Sequence, residues 1–318
     1  MSSNREDEEN SEIADLQSAV NPEVQEEENV IYEFTDDNIV FDTHFNIVDD
    51  DLDGQNGPMY DLSTPPSPTP KLVFIVPYRD REQQLIFFRR QMSYVLEDLD
   101  KSEYKLYFIH QKDNRAFNRG ALKNIGFLAV REKYPEKYRD ITLVFNDIDT
   151  MPYSKNFLDY KTRQGIVKHF YGFTYALGGI VSINAGDFER IHGFPNFWAW
   201  GFEDNLLNAR VIHANLIVDR TQFYPIADKN ILQFHDGFTR NVNRSEFQRY
   251  ANKTKEGWFS IRDLSYVIEE DTGFIHVSQF STGTVENAVA TIAHDLRKGN
   301  RPFPAARAGR IATMNMNL

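Results

Sequence analysis

The chain has 318 residues, 41% of them hydrophobic, a formal net charge of −12 and no cysteine. That length and apolar content suffice for one large core or two small ones, and the missing cysteine excludes a disulfide framework, a thiolate metal centre and a cysteine nucleophile. The charge is lopsided: residues 1–70 carry 19 acidic side chains against Arg5 alone, while the remainder carries 34 basic against 28 acidic, so the net acidity does not argue against an anionic ligand in the later part.

Residues 1–70 are acidic and end in the run STPPSPTP, which reads as a solvated, disordered tail and a Pro-rich linker. The N-terminus lacks a basic and apolar leader, and no uninterrupted apolar run reaches the length of a membrane helix. The expectation is a soluble protein without a membrane span, in a cytoplasmic setting or one of the viral-factory or virion type.

From Lys71 the pattern changes. Leu72 to Val76 (LVFIV) is the continuous apolar run of a buried parallel strand. A helix follows over about 82–99, a strand over 104–109, a helix over 119–133 and a strand over 141–145. Alternation of this kind predicts an α/β layer, in which ligands bind beyond the carboxyl ends of the strands. The residues after those ends are polar and of restricted type: PYRDR at 77–81, FNR at 117–119 and NDIDTMP at 146–152. Rings and guanidinium groups suit a base and its phosphates, and two aspartates beside them suit a divalent cation with oxygen ligands. No Gly-rich phosphate loop is present.

The stretch GFPNFWAWGFED at 193–204 holds Trp198 and Trp200 between glycines, followed at once by Glu203 and Asp204. The glycines and Pro195 predict a loop that exposes both indoles for stacking. Apolar spacing over 204–214 predicts a helix, which Glu203 and Asp204 would open as capping carboxylates. Later, 240–258 is charged and includes a helix, 265–278 suggests a hairpin with its turn at 271–273, and a helix is expected over about 281–297, before a loose basic end. The expected division is thus 1–70, tail; 71–280, main folded domain; 281–318, helix and tail. No feature points to nucleic acid.

Six segments, FIVPYRDR, FNRGALKNIGF, FNDIDTMP, GGIVSI, GFPNFWAWGFED and FHD, occur in the order and at about the spacing found in the β-1,4-galactosyltransferase family, glycosyltransferase family 7. The chain resembles that family over about 71–236 and, in its metal-loop spacing, its xylose-directed members. The resemblance implies a GT-A, Rossmann-like mixed sheet flanked by helices, with a UDP-sugar donor, a glycan or glycoconjugate acceptor and Mn²⁺. It assigns donor binding to Pro77, Tyr78, Arg79, Arg81, Phe117, Arg119, Asp147, Gly179 and Trp200, and metal binding to Asp149 and His235. Glu203 would contact donor or acceptor, and Asp204 would be the general base of an inverting transfer. The Trp198/Trp200 loop would close over the donor.

Three positions depart from the family's pattern. Leu232 stands where lactosamine-forming members have a methionine ligand, and Gln233 where xylose-directed members have a histidine; Gln233 offers an amide oxygen as third ligand. Asn205 replaces an acidic residue. Ala176, with Tyr175 if the alignment slips by one, stands where an aromatic commonly limits the donor pocket, which keeps UDP-GalNAc open beside UDP-galactose. A non-catalytic UDP-sugar or glycan-binding module on the same fold is the alternative to a transferase.

Overall fold

The computed structural model describes residues 68–298 apart from Asp236, together with Pro302. The expected tail at 1–67 and the basic end beyond 302 lie outside the described residues.

Parallel strands β1 (Leu72–Tyr78), β2 (Tyr104–Gln111) and β3 (Thr142–Asn146) alternate with helices α1 (Glu82–Val95) and α2 (Arg119–Lys133). Every residue of β1 is buried, because both sides of the sheet are covered. Val73 and Ile75 join the core cluster that includes α2 residues Leu122 and Ile125, whereas Leu72, Phe74 and Val76 join the one containing Phe88 and Met92 of α1. This two-sided burial is why the strand reads as an uninterrupted apolar run rather than an alternating one.

The sheet then turns mixed. β5 (Ile166–Gly172) and β6 (Ile180–Asn184) pair antiparallel, and β6 runs antiparallel to β3. β7 (Ile217–Asp219) and β8 (Tyr224–Pro225) both pair with β5. At the other edge, the hairpin of β11 (Arg262–Glu269) and β12 (Phe274–Ser281) docks β12 parallel to β2. Among the described residues this makes a nine-stranded sheet in the order β11-β12-β2-β1-β3-β6-β5-β7, with β8 on β5. Helices α3 (Ala185–Arg190) and α4 (Glu203–His213) follow β6. A mixed sheet flanked by helices is therefore what the chain forms.

Two small ladders lie outside the sheet. β4 (Thr150–Pro152) pairs with β9 (Ile231–Gln233), and β10 (Thr239–Asn243) pairs with β13 (Thr291–Asp295) beside α5 (Arg244–Ala251). The helix expected over 281–297 is not formed: short 3-10 turns at Ala288–Ala290 and Leu296–Lys298 flank β13 instead. Val285 and Val289, within that range, are 86% and 97% exposed, so they form no buried helical face. Since β13 pairs with β10 and Leu296 is buried, the folded unit continues past the expected boundary at 280.

Candidate functional site

Because β1, β2 and β3 are parallel neighbours, their carboxyl ends open on one side of the sheet and bring together three polar segments. After β1, Arg79 donates to the carbonyls of Arg115 (2.7 Å) and Asp113 (3.4 Å) and lies 5.3 Å from the Phe117 ring centroid. Burial lowers its pKa against the pull of Asp80 and Asp113. Arg79 and Phe117 are thus a joined pair, and Arg81 sits at the N-cap of α1. Pro77 and Tyr78 are buried. The Tyr78 ring packs edge-on to His110 and Phe274 at 5.2 and 5.4 Å, within the core rather than in the opening.

After β3, the turn carrying both aspartates is fixed from within. Asn146 donates to the carbonyls of Asp147 (2.8 Å) and Thr150 (2.7 Å). The Asp147 N–H donates to the carbonyl of Gly179 at 3.1 Å. Gly179 has φ +70°, and a Cβ there would stand 2.3 Å from the Tyr171 carbonyl oxygen. Only glycine meets both conditions, which gives the GGIVSI motif a structural cause.

Arg119, in the first turn of α2, gathers three carboxylates. Its Nη2 donates to both oxygens of Asp147 (2.7 and 2.6 Å), and its Nη1 to Glu203 Oε1 (2.6 Å) and Asp204 Oδ2 (2.8 Å). Burial opposes the cation, but Asp147, Asp204 and Glu203 outweigh it and hold the Arg119 pKa well above its usual value. The expected donor contact at Arg119 is here a hub that orders the acidic residues. One turn further along α2, Lys123 Nζ donates to Asp204 Oδ1 at 3.1 Å and lies 4.3 Å from the Phe194 ring centroid. Burial would raise the Asp204 pKa; Arg119 and Lys123 overcome that effect and hold it below the usual carboxylate range. Sequence reasoning missed Lys123. Its signal was the i, i+4 pairing with Arg119, which puts both cations on one helical face.

Glu203 and Asp204 open α4 as expected, but as residues of its first turn rather than as caps, and through an unusual entry. Ala199, Gly201 and Phe202 all have positive φ (68°, 119° and 71°), and the N-cap residue Phe202 makes no side-chain cap. The Glu203 side chain is almost wholly buried, and its Oε2 has no hydrogen-bond partner. Asp204 packs on Gly178, where a Cβ would lie 2.3 Å from Oδ2. Beneath, His169 Nε2 donates to the carbonyls of Tyr171 (3.1 Å) and Gly178 (3.2 Å), while Nδ1 accepts from Arg220 Nε (3.2 Å). Burial, aided by Arg220, pushes the His169 pKa down to about 4.

The two tryptophans separate. Trp198 is 1% exposed, stacks on Phe280 at 5.7 Å and donates Nε1–H to the Thr284 carbonyl at 3.1 Å. The expectation that both indoles are exposed is corrected for Trp198, since the strand that covers it, β12, lies some 80 residues downstream. Trp200 is half-buried, and its backbone N–H donates to the Asn241 carbonyl at 2.8 Å. A buried amide network ties this loop to α2: Asn124 donates to the Phe194 carbonyl (2.8 Å) and to Asn196 Oδ1 (2.9 Å), and Asn118 to the Asn196 carbonyl (3.2 Å).

The β4–β9 ladder brings the backbone of Asp149 next to the residue before His235: Phe234 N–H donates to the Asp149 carbonyl at 2.8 Å, and the exposed His235 follows. Carboxylate oxygen and imidazole nitrogen suit a borderline divalent ion. The Gln233 amide oxygen accepts from the Tyr171 hydroxyl at 2.7 Å. Among the described residues no three of His, Cys, Asp or Glu are grouped to hold a metal. Asp149 and His235, with the Gln233 oxygen, are the candidate protein donors to an ion here, and its remaining positions would fall to phosphate or water oxygens.

Comparison with known proteins accords with this geometry. Family models described as the N-terminal region of glycosyl transferase group 7 and the N-terminal domain of galactosyltransferase match residues 47–161 and 167–235. Beta-1,4-galactosyltransferase 5 of Mus musculus is 28% identical over 62% of this chain and 51% of its own length. Xylosylprotein 4-beta-galactosyltransferase of Caenorhabditis elegans is 27% identical over 63% of this chain and 72% of its own. The chain spans about half the length of several curated relatives it matches. Among solved structures, a variant of Drosophila β1,4-galactosyltransferase 7 in complex with manganese, UDP-Gal and xylobiose superposes with a TM-score of 0.54 at 20% identity, over 72% of this chain and 97% of that one, a likeness that speaks for the fold. No described helix is long and apolar enough to cross a membrane. With both halves of the family model matched in order across more than half of its length, the chain belongs to the group 7 glycosyltransferases, the β-1,4-galactosyltransferase family.

Proposed function

We propose that the protein is an inverting glycosyltransferase that moves a hexose, galactose first and N-acetylgalactosamine as the alternative, from its UDP-sugar to a hydroxyl of an acceptor sugar in β linkage. The observation that carries this reading is the cluster of Asp147, Glu203 and Asp204 around Arg119, beyond the carboxyl ends of the parallel strands.

The acceptor oxygen attacks the anomeric carbon from the face opposite the diphosphate; the new C–O bond forms as the bond to phosphate breaks, and UDP departs. The acceptor's proton passes to Asp204, an assistance typically worth about 10²–10⁴-fold in rate. Ion pairing and its place in the first turn of α4 keep Asp204 ionised and ready to accept that proton. The bare Oε2 of Glu203 is a buried acceptor awaiting a hydroxyl donor, as a sugar would provide. Arg79 and Phe117 offer a cation and a ring face to the nucleotide, and the half-buried Trp200 would cover the sugar. Asp149 and His235, with the second lone pair of the Gln233 oxygen, would hold Mn²⁺, which neutralises charge on a departing diphosphate when bound.

The test is Asp204→Asn, assayed with UDP-galactose and UDP-GalNAc, a panel of sugar acceptors and Mn²⁺. The expected result is loss of transfer by at least about 10²-fold with UDP still bound. Transfer at the wild-type rate would remove Asp204 as the base. Acceptor-dependent release of UDP by the wild-type protein separates a transferase from a binding module, which releases none.

A further inference from the structure

Among the described residues the side chain of Lys123 is one of the most deeply enclosed cations, 2% exposed, on the face of α2 turned toward the carboxylate cluster. A buried ammonium carries a heavy desolvation cost unless it is paired, and an apolar residue of similar length would fill the same space without it. It meets Asp204 Oδ1 at 3.1 Å and the face of Phe194 at 4.3 Å. The division between the carboxylate oxygens is clean. Oδ1 goes to Lys123 and Oδ2 to Arg119. Arg119 also serves Asp147 and Glu203, so its hold on Oδ2 is shared, whereas Lys123 directs its charge at Asp204 alone among the ion pairs it makes.

We propose that Lys123 is a positioning residue for the base: it anchors Oδ1, fixing the plane of the Asp204 carboxylate so that Oδ2 is the oxygen presented to the acceptor hydroxyl. This rests on the reading of Asp204 as general base and adds a residue to it. The charged groups facing Asp204 are Arg119 and Lys123 from α2, with Glu203 beside it on α4, Asp147 across Arg119, and His169 from β5 behind Gly178. Of these, Lys123 supplies positive charge that is not divided among other carboxylates. Through Phe194 it also ties the base to the root of the tryptophan loop, whose Phe194 N–H and carbonyl are both held by Asn124 of the same helix.

The experiment compares wild type with Lys123→Met, which keeps length and loses charge, and Lys123→Gln, which keeps an N–H donor. Three quantities are read: the carboxyl ¹³C titration of Asp204, the acid limb of kcat/KM against pH with UDP-galactose, and the affinity for UDP. In Lys123→Met the Asp204 titration and the acid limb should rise together by about one pH unit, equivalent to about tenfold lower kcat/KM below both limbs, with UDP affinity within about twofold of wild type. Lys123→Gln should recover part of kcat without restoring the limb. An Asp204 titration unmoved in both variants overturns the proposal, as does loss of UDP binding together with kcat, which would mark Lys123 as a packing residue. Failure of the underlying reading looks different: Asp204→Asn would then transfer at the wild-type rate whatever the titration shows.

Discussion

Gly178→Ala probes the base without removing or adding a charge. Gly178 lies outside the left-handed region, so alanine there meets no backbone strain. Its Cβ would, however, stand 2.3 Å from Asp204 Oδ2 and 2.8 Å from Cγ, and ordinary contact requires the carboxylate to retreat by about 1 Å. The Asp204 backbone cannot follow freely, because its carbonyl accepts from Leu177 N–H at 3.0 Å. The side chain must therefore swing, lengthening its bonds to Arg119 and Lys123. Losing one charge-assisted bond of this kind costs about 1.5–3 kcal/mol, which for a domain of this size lowers the melting temperature by about 2–4 °C per kcal/mol. A 1 Å misplacement of a reacting group costs about 10²-fold in rate. Steady-state transfer from UDP-galactose, UDP titration and thermal unfolding should then show kcat/KM down by about 10²-fold, UDP affinity unchanged, and a melting point several degrees lower. Activity within about twofold of wild type at an unchanged melting point would refute the claim that the carboxylate must sit where Gly178 allows it.

The remaining predictions use other parts of the site. Trp198→Ala should cost about 3–5 kcal/mol of stability, as for a large buried aromatic, while Trp200→Ala should leave the melting point nearly unchanged and weaken donor turnover; denaturant titration and steady-state kinetics separate the two. His169 takes a proton near pH 6.5 when unfolded and at about 4 when folded. The unfolded chain thus binds more protons in that window, and stability rises with pH through it; His169→Gln should flatten the slope of melting temperature between pH 4 and 6.5. Chelation by EDTA, and separately Asp149→Asn, should weaken UDP binding measured calorimetrically, with Mn²⁺ restoring only the chelated wild type.

Much of the sheet was legible because its information is local. LVFIV reads as a strand buried on both sides, and the turn chemistry after β3 sits in five consecutive residues. The helix of 119–133 agrees with the structure to the residue. What escaped depends on partners distant in the chain. Trp198 looked exposed because its neighbours are loop formers, yet its cover, Phe280, arrives on a strand that joins the opposite edge of the sheet. Lys123 was not singled out, since only the docking of α4 against α2 brings Asp204 onto it. At 281–297 the helix expected locally does not form, because the backbone hydrogen bonds of Thr291–Asp295 go to β10, and a ladder with a distant strand outweighs the weak stability of a short helix.

That distant contribution bears directly on the carboxylates. Holding Ala199 and Phe202 in the left-handed region costs about 1–2 kcal/mol each, and such a turn persists only when its surroundings over-determine it. Beside the hold of α2 on this loop, many of the surroundings come from 237–298. Phe202 stacks on Tyr250 at 4.7 Å and meets Phe247 at 5.1 Å, Trp200 N–H is taken by Asn241, and Trp198 is held by Phe280 and Thr284. Arg115, beside the loop that holds Arg79, lies 4.7 Å from the Trp198 ring centroid and 4.5 Å from that of Phe280. The residues matched to the galactosyltransferase model end at 235. The segment after them is therefore what clamps the turn that aims Glu203 and Asp204, and it reaches through Arg115 to the Arg79 loop on the proposed nucleotide side. A chain ending after residue 236 would retain every proposed donor, base and metal residue while losing the contacts that keep the strained turn in place.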